Sequence, residues 1–139
     1  MGSHDEYGKE LLRRAAGADY EVYGLPVEVD FGAGQPGRID GSIAGRIAVE
    51  VESRVSKQIR GAVLDLVLHK HPKKLLIILP KHASNPTTAA EQCRNIMSNF
   101  LSPENFEVLL LQGHGDFPKY DVDVGLIQNA LRKLGYRKT

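Results

Sequence analysis

The stretch that decides the fold runs from Arg38 to Glu52 and reads RIDGSIAGRIAVEVE. It contains two runs in which apolar residues alternate with polar or small ones, joined by a short link at Ala44-Gly45. Alternation with a period of two is typical of a strand with one buried face, and a short link containing glycine is typical of a β-hairpin. We therefore predict two antiparallel strands, Arg38 to Ile43 and Arg46 to Glu52.

Outside the hairpin, apolar residues recur at helical spacing in four segments and form two continuous runs typical of buried strands. Asn85-Pro86 supplies a capping residue and a proline where a helix begins. The predicted elements are a helix Glu6 to Ala16, a strand-like stretch Tyr20 to Phe31 interrupted by Gly24 and Pro26, a helix from Val55 to about His69, a strand Lys74 to Leu79, a helix after Asn85 with an inner face reaching Phe100, a strand Phe106 to Leu111 and a helix Asp121 to Leu134.

Strands that alternate with helices in the second half imply parallel crossover connections, whereas the hairpin is antiparallel. The predicted fold class is therefore α/β, a three-layer sandwich with a mixed central β-sheet. A chain of 139 residues has the size of one compact domain. Residues 1–4 resemble an expression-tag remnant, so we assign the single domain to residues 5–139.

Composition excludes several classes of protein. Cys93 is the only cysteine, which rules out an intramolecular disulfide and a zinc site built on cysteines. Eighteen basic and 17 acidic residues nearly cancel, so overall charge gives no argument for nucleic-acid binding. No stretch approaches the ~20 apolar residues of a membrane span, and the start lacks the apolar core of a signal peptide. We expect a cytoplasmic protein without a membrane partner.

Three carboxylates are the candidate functional residues. Glu50 and Glu52 are two positions apart on one predicted strand and therefore share a face. Asp40 lies on the neighbouring strand, on the face opposite Ile39 and Ile43. Like charges gathered in this way favour a bound cation or raised pKa values, and oxygen ligands suit Mg²⁺ or Mn²⁺. The alternative is an ordinary solvated face of a hairpin, on which alternating glutamates are common.

The run Gly37-Arg38-Ile39-Asp40, followed ten residues later by Glu50-Val51-Glu52, resembles the active-site strands of the PD-(D/E)XK nuclease superfamily. The resemblance implies a restriction endonuclease-like core with the order α-β-β-β-α-β. It also implies that Asp40 and Glu50 bind Mg²⁺ and that the chain hydrolyses DNA phosphodiester bonds. Such chemistry needs a metal that activates water and offsets charge on the phosphoryl oxygens.

One position departs from the family pattern, because Glu52 stands where the motif lysine is expected. The resemblance implies that Glu52 binds metal or orients water, and that Lys57 is a displaced lysine near the scissile phosphate. Other residues that could assist or contact substrate are Arg54, Gln58 and Arg60. Glu10 could join the site from the first helix, although a solvated helix charge is the simpler interpretation. A basic cluster of His69, His71, Lys73 and Lys74 could touch phosphates or simply flank the entry to a buried strand.

Two functions follow from this pattern. The first is a metal-dependent DNA endonuclease of the restriction or repair type, acting as a homodimer or within a larger assembly, because a small domain offers little surface for reading sequence. The second is a catalytically inactive module of the same fold that binds DNA or a protein partner. Loss of the motif lysine and the nearly neutral charge favour the second.

Overall fold

The structure is a computed structural model that describes residues 3–32, 34–53, 56–80 and 85–138, with side chains described for 6–32, 34–53, 59–80 and 85–138. Its helices are α1 (Ser3–Ala16), α2 (Ser56–Leu68), α3 (Pro86–Met97) and α4 (Tyr120–Lys133). Its strands are β1 (Tyr20–Glu21), β2 (Glu28–Val29), β3 (Gly37–Arg38), β4 (Gly41–Ile43), β5 (Ile47–Glu52), β6 (Lys73–Ile78) and β7 (Phe106–Leu110). Short 3-10 turns occupy Gly17–Asp19, Leu25–Val27 and Pro103–Asn105.

Five strands form the central sheet in the order β1-β4-β5-β6-β7. The pairs β1–β4 and β4–β5 are antiparallel, whereas β5–β6 and β6–β7 are parallel. The predicted mixed sheet is thus confirmed. The β4–β5 hairpin turns through Ala44 (φ 54°) and Gly45 (φ 65°). Positive φ at both central residues is what a tight hairpin turn requires, because it matches the twist of the flanking strands.

Two apolar clusters cover the two faces of this sheet. On one face Leu11 and Leu12 of α1 and Ile127 and Leu131 of α4 pack against strand residues such as Val49. On the other face residues of α2 and α3 pack against the alternate strand positions: Ile59, Val63 and Leu66 from α2, Ala90, Cys93 and Met97 from α3, and Ala48, Leu76 and Ile78 from the sheet. The architecture is therefore α/β with helices on both faces of a mixed sheet.

The segment before the hairpin is interrupted where Gly24 and Pro26 predict it, because a 3-10 turn at Leu25–Val27 separates β1 from β2. β2 pairs with β3 in a separate two-stranded ribbon rather than with the central sheet. The ribbon places Val27 and Val29 in the α2-side core, so this segment covers helix α2 instead of extending the sheet.

The predicted shared face of Ile39 and Ile43 is wrong. Ile39 and Asp40 form a break between β3 and β4, and the Ile39 N–H donates to the Val27 carbonyl at 2.9 Å. As a result Ile39 lies in the α2-side core and Ile43 in the α1-side core. The predicted inner face of α3 is also too long, because the helix ends at Met97 and leaves the Phe100 side chain 65% exposed.

Within the described ranges, the structure contains no helix with both the length and the apolar character needed to cross a membrane.

Candidate functional site

Asp40 lies in the break between β3 and β4, directly before β4 begins, and beside the carboxyl-terminal half of β5. The register pairs Gly41 with Val49, and continuing it by one residue places Asp40 opposite Glu50. The Asp40 N–H donates to Glu50 Oε1 at 2.8 Å, and Asp40 Oδ2 accepts from the Val51 N–H at 2.7 Å. The Asp40 carboxylate thus takes the place of a backbone carbonyl in the ladder beyond the end of β4.

Tyr20 fixes the backbone on the other side of Asp40. Its hydroxyl donates to the Asp40 carbonyl at 3.4 Å, and its ring lies directly against Gly41. A Cβ at position 41 would be 2.3 Å from Tyr20 Cε1, so only glycine fits there without a shift of the ring. The half-buried Asp40 is therefore held by contacts on both sides.

Glu50 is buried, with 7% of the side chain exposed, and it points toward α2. Burial, together with the nearby carboxylates of Asp40 and Asp65, raises the pKa of Glu50 to about 10. Burial also raises the pKa of Asp65, with the Asp40 carboxylate adding to the shift, while a hydrogen bond from Glu50 opposes it. Asp40, Glu50 and Asp65 therefore form one cluster, called the carboxylate cluster below, in which Glu50 carries a proton at neutral pH.

Asp65 was missed by the sequence interpretation. It lies on α2 between Leu64 and Leu66 and is the only charged residue in the stretch from Gly61 to Leu68. An isolated acidic residue inside an otherwise apolar helix is a detectable signal. Its direction was not predictable, since the angle at which α2 crosses the sheet decides whether residue 65 faces Glu50 or solvent.

Glu52 lies two residues after Glu50 on β5 and is also buried. It is 4% exposed, and its Oε1 accepts from the neighbouring Ser53 N–H at 3.1 Å. Glu52 is not among the groups that shift the pKa of Glu50. Because both glutamates are buried, the alternative of a solvated hairpin face is wrong. The convergence of Glu52 with Asp40 and Glu50 stays a prediction.

Asp40 and Glu50 offer the oxygen ligands that Mg²⁺ prefers. Within the described ranges, no group of three or more His, Cys, Asp or Glu side chains is arranged to hold a metal ion. Mg²⁺, however, usually binds through one or two carboxylates and completes its shell with water and substrate phosphates. A carboxylate has about four lone-pair sites, so the backbone bonds to Asp40 and Glu50 do not exhaust their capacity. The donor set of Asp40 and Glu50 therefore fits a hard cation by its chemistry.

Only some of the side chains predicted to assist the site lie within the described residues. Arg54 lies outside the described residues, and so do the side chains of Lys57 and Gln58, whose backbone belongs to the first turn of α2. Arg60 is exposed and lines a cleft between α2 and α3. Glu10 forms ion pairs within its own helix to Arg13 at 3.3 Å and Arg14 at 2.9 Å, as expected of a solvated helix charge.

The predicted basic cluster is mostly buried rather than presented to phosphates. The His69 Nε2 contacts the Pro26 carbonyl at 2.8 Å, and His69 Nδ1 accepts from the His71 N–H at 3.0 Å, which assigns a neutral ring protonated on Nε2. Lys74 donates to the His69 carbonyl. Burial lowers the pKa of His71 to about 4 and that of Lys74 to about 8.

Ser42 completes this buried group. Its hydroxyl lies 2.9 Å from His71 Nε2. A serine beside a histidine is a nucleophile–base geometry, but Ser42 has no exposed surface through which a substrate could reach it. The pair therefore satisfies buried polar atoms in the core, and the chemistry of this face remains with the carboxylate cluster.

The arrangement can hold a proton at Glu50, exchange it for a cation, and present half-buried Asp40 and Asp65 beside it. No protein-family model matches this sequence, and neither a curated protein nor a solved structure matches it significantly.

Proposed function

We propose that the chain is a Mg²⁺-dependent deoxyribonuclease with a restriction endonuclease-like fold. The observation that carries the proposal is the pairing of half-buried Asp40 with buried Glu50, in which the Asp40 N–H donates to Glu50 Oε1 at 2.8 Å. The order of α1, β1, β4, β5, α2 and β6, with the last strand parallel to β5, supports the same fold. The ribbon β2–β3 is then an insertion in the first half of that core.

Asp40 and Glu50 would hold the metal, and Asp65 lies beside them. When bound, Mg²⁺ supplies charge for the phosphoryl oxygens and lowers the pKa of water. The chain itself contributes the half-buried Asp40 and the buried Glu50 as a preorganised pair of carboxylates. Asp65 is a third carboxylate, whose pKa burial raises above its ordinary value.

Metal binding is the first test, because it does not depend on knowing the substrate. Glu50 must lose its proton to bind a cation, so the affinity for Mn²⁺ rises by up to about tenfold per pH unit below the pKa of Glu50. Calorimetric titration with MnCl₂ between pH 6 and pH 8 measures this slope. The Asp40→Asn and Glu50→Gln variants lose Mn²⁺ binding, whereas the control variant Glu107→Gln retains it. Glu107 lies on β7, and its register partner Leu75 belongs to the α1-side core, so Glu107 is on the opposite face of the sheet from Glu50.

Cleavage is the second test. Supercoiled, linear and branched DNA are incubated with each protein in Mg²⁺, in Mn²⁺ and in EDTA. We expect nicking or cutting by the wild type and by Glu107→Gln, and none by Asp40→Asn or Glu50→Gln. Cleavage that survives either cluster variant, or a wild type that cuts none of the three substrates, contradicts the proposed activity.

A second candidate is the inactive module of the same fold. The observation that favours it is that, within the described part of the chain, no cation contributes to the pKa of Glu50. Glu52 occupies the lysine position and accepts from the Ser53 N–H at 3.1 Å. This candidate predicts pH-dependent Mn²⁺ binding without cleavage. The homodimer remains a prediction, which sedimentation velocity with and without DNA checks.

A further inference from the structure

A second polar surface lies at the opposite end of β5 from Glu52, on the other face of the sheet. A cleft of about 320 Å³ separates the β4–β5 turn from the segment after α4, and Arg46, Tyr136 and Arg137 line it. An adjoining cleft of about 160 Å³ is lined by Arg132, Lys138 and the same Tyr136 and Arg137. Because they share two residues, the clefts form one depression, called the basic groove below.

The groove is strongly positive on a nearly neutral chain. Arg46, Arg132, Arg137 and Lys138 all line it with exposed side chains, and the structure records no ion pair for any of them within the described residues. Other arginines do have acidic partners, as Arg94 has Glu91 at 3.5 Å. Asp19 is the one carboxylate in the described lining, and it accepts a hydrogen bond from the Tyr136 hydroxyl at 2.7 Å.

The backbone positions of these cations are fixed by local structure. Gly135, with φ 89°, ends α4: its N–H donates to the Arg132 carbonyl and the Tyr136 N–H donates to the Leu131 carbonyl, both at 2.9 Å. This pair of bonds is a Schellman motif, which reverses the chain at a helix end. It returns Arg137 toward the β4–β5 turn, where the Arg46 carbonyl accepts from the Lys73 N–H at 3.2 Å.

We propose that the basic groove binds the phosphodiester backbone of a nucleic acid. Its four cations come from three separate segments and flank two connected clefts, which suits a row of phosphates better than one small anion. Tyr136, the one aromatic residue in the described lining, is 9% exposed and hydrogen-bonded to Asp19, so its ring is not available for stacking on bases. Binding is therefore electrostatic and independent of sequence.

The groove is separate from the carboxylate cluster. Arg46 precedes Glu50 by four residues of β5, which is ~13 Å along the strand, and Tyr136 packs with the α1-side core while Glu50 faces α2. Groove binding does not rest on the proposed nuclease activity, and the two can fail independently.

The test measures binding of a fluorescein-labelled 20-base-pair DNA duplex by anisotropy in EDTA, at NaCl concentrations from 25 to 200 mM. EDTA removes any metal-dependent cleavage from the readout. Each phosphate contact contributes about 0.9 to the slope of log affinity against log salt. We expect Arg46→Gln and Arg137→Gln each to lower the slope by about 0.9 and the affinity at 0.1 M salt by ~8-fold, equally for duplexes of different sequence.

Arg94→Gln is the matched control, because it removes one positive charge on α3, on the opposite side of the sheet. It leaves the slope unchanged if the groove is the binding surface. Equal losses in Arg94→Gln and the groove variants, or a salt slope near zero in the wild type, overturn the proposal. Binding to vesicles containing 30% phosphatidylserine, without binding to the duplex, also overturns it and assigns the groove to an anionic membrane surface. Thermal unfolding of each variant verifies that these exposed substitutions leave the fold intact.

Discussion

Replacing Glu50 by glutamine tests the electrostatics on which the candidate site depends. Glutamine keeps the oxygen that accepts the Asp40 N–H at 2.8 Å but carries no charge. In the wild type the pKa of Glu50 is about 10 when folded and 4.5 as its ordinary value. The folded protein therefore retains a proton that the unfolded chain releases, so the stability contributed by Glu50 is complete below pH 4.5 and is lost progressively as pH rises toward 10.

The magnitude follows from the linkage of one proton. Each pH unit within this window corresponds to at most about 1.4 kcal/mol, so wild-type stability falls by up to about 3 kcal/mol between pH 5.5 and pH 8 on account of Glu50. Glu50→Gln lacks this loss. Its free energy of unfolding, relative to wild type, rises over the same interval by an amount of that order.

The assay is urea unfolding followed by circular dichroism at pH 5.5, 6.5 and 8.0 in EDTA. Comparing the variant with the wild type at each pH cancels the titration of groups common to both, His69 and His71 included. Glu107→Gln is the control and follows the wild-type pH dependence. If Glu50→Gln and wild type lose stability in parallel from pH 5.5 to pH 8.0, the raised pKa and the buried cluster are both refuted.

Three further substitutions probe the surrounding framework. Asp123 is fully buried and accepts from the Gln112 N–H, the Gly113 N–H and the Tyr7 hydroxyl at 2.9, 2.9 and 2.5 Å. Asp123→Asn places an amide NH₂ against one of these donors and lowers the free energy of unfolding by ~2–4 kcal/mol. Asp121→Asn, at an exposed position, changes the free energy of unfolding in urea by under ~0.5 kcal/mol. The pKa of His71 is lowered from 6.5 to about 4, so the stability that neutral His71 contributes is lost as pH falls from 6.5 toward 4. His71→Gln therefore loses up to about 2.5 kcal/mol less stability than wild type between pH 6.5 and 4.5 in the same assay. A stability difference between the two proteins that is the same at both pH values contradicts this. Gly41→Ala drives a methyl group into the Tyr20 ring and costs ~1–3 kcal/mol, whereas Gly61→Ala, with open space around it, stabilises α2 by up to ~1 kcal/mol, as paired thermal melts can show.

Periodicity in the sequence predicted the elements that bury one regular face. The β4–β5 hairpin, helix α2 from Ser56 to Leu68 and strand β6 from Lys73 to Ile78 all lie within a few residues of their predicted bounds. The capping prediction at Asn85 is also confirmed, because its side chain accepts from the Thr88 N–H at 3.1 Å. Each of these features is set by local chemistry, which a sequence displays directly.

Prediction failed where a non-local contact interrupts the local pattern. Ile39 looks like a continuation of β4, yet its N–H bonds to Val27, twelve residues earlier, and its side chain turns to the opposite core. The same break leaves Asp40 to cap the end of the ladder through Val51. Pairing of Asp40 with Glu50 was predictable from register, whereas the inclusion of Asp65 depends on how α2 packs.

The α2-side face of the sheet also holds a buried base, Lys74, which does not neutralise the buried acid Glu50. Lys74 pairs in register with Ala48, and Glu50 with Leu76, so the two side chains lie on the same face two residues apart along the strands. Lys74 nevertheless donates to the His69 carbonyl, while Glu50 contacts carboxylates. A buried ion pair would lower the pKa of the acid and raise that of the base; burial instead shifts both toward their neutral forms.

Because Lys74 does not pair with Glu50, metal affinity is a more informative measurement than cleavage. Ionising the buried Glu50 beside other carboxylates costs stability, and a cation that replaces the Glu50 proton recovers it, whichever residue serves in place of the motif lysine. Both the nuclease and the inactive module therefore predict Mn²⁺ binding that strengthens with pH and disappears in Glu50→Gln. Cleavage distinguishes these two functions only after the increase of Mn²⁺ affinity with pH has been observed. Mn²⁺ affinity that is flat from pH 6 to pH 8 would remove the physical basis of both.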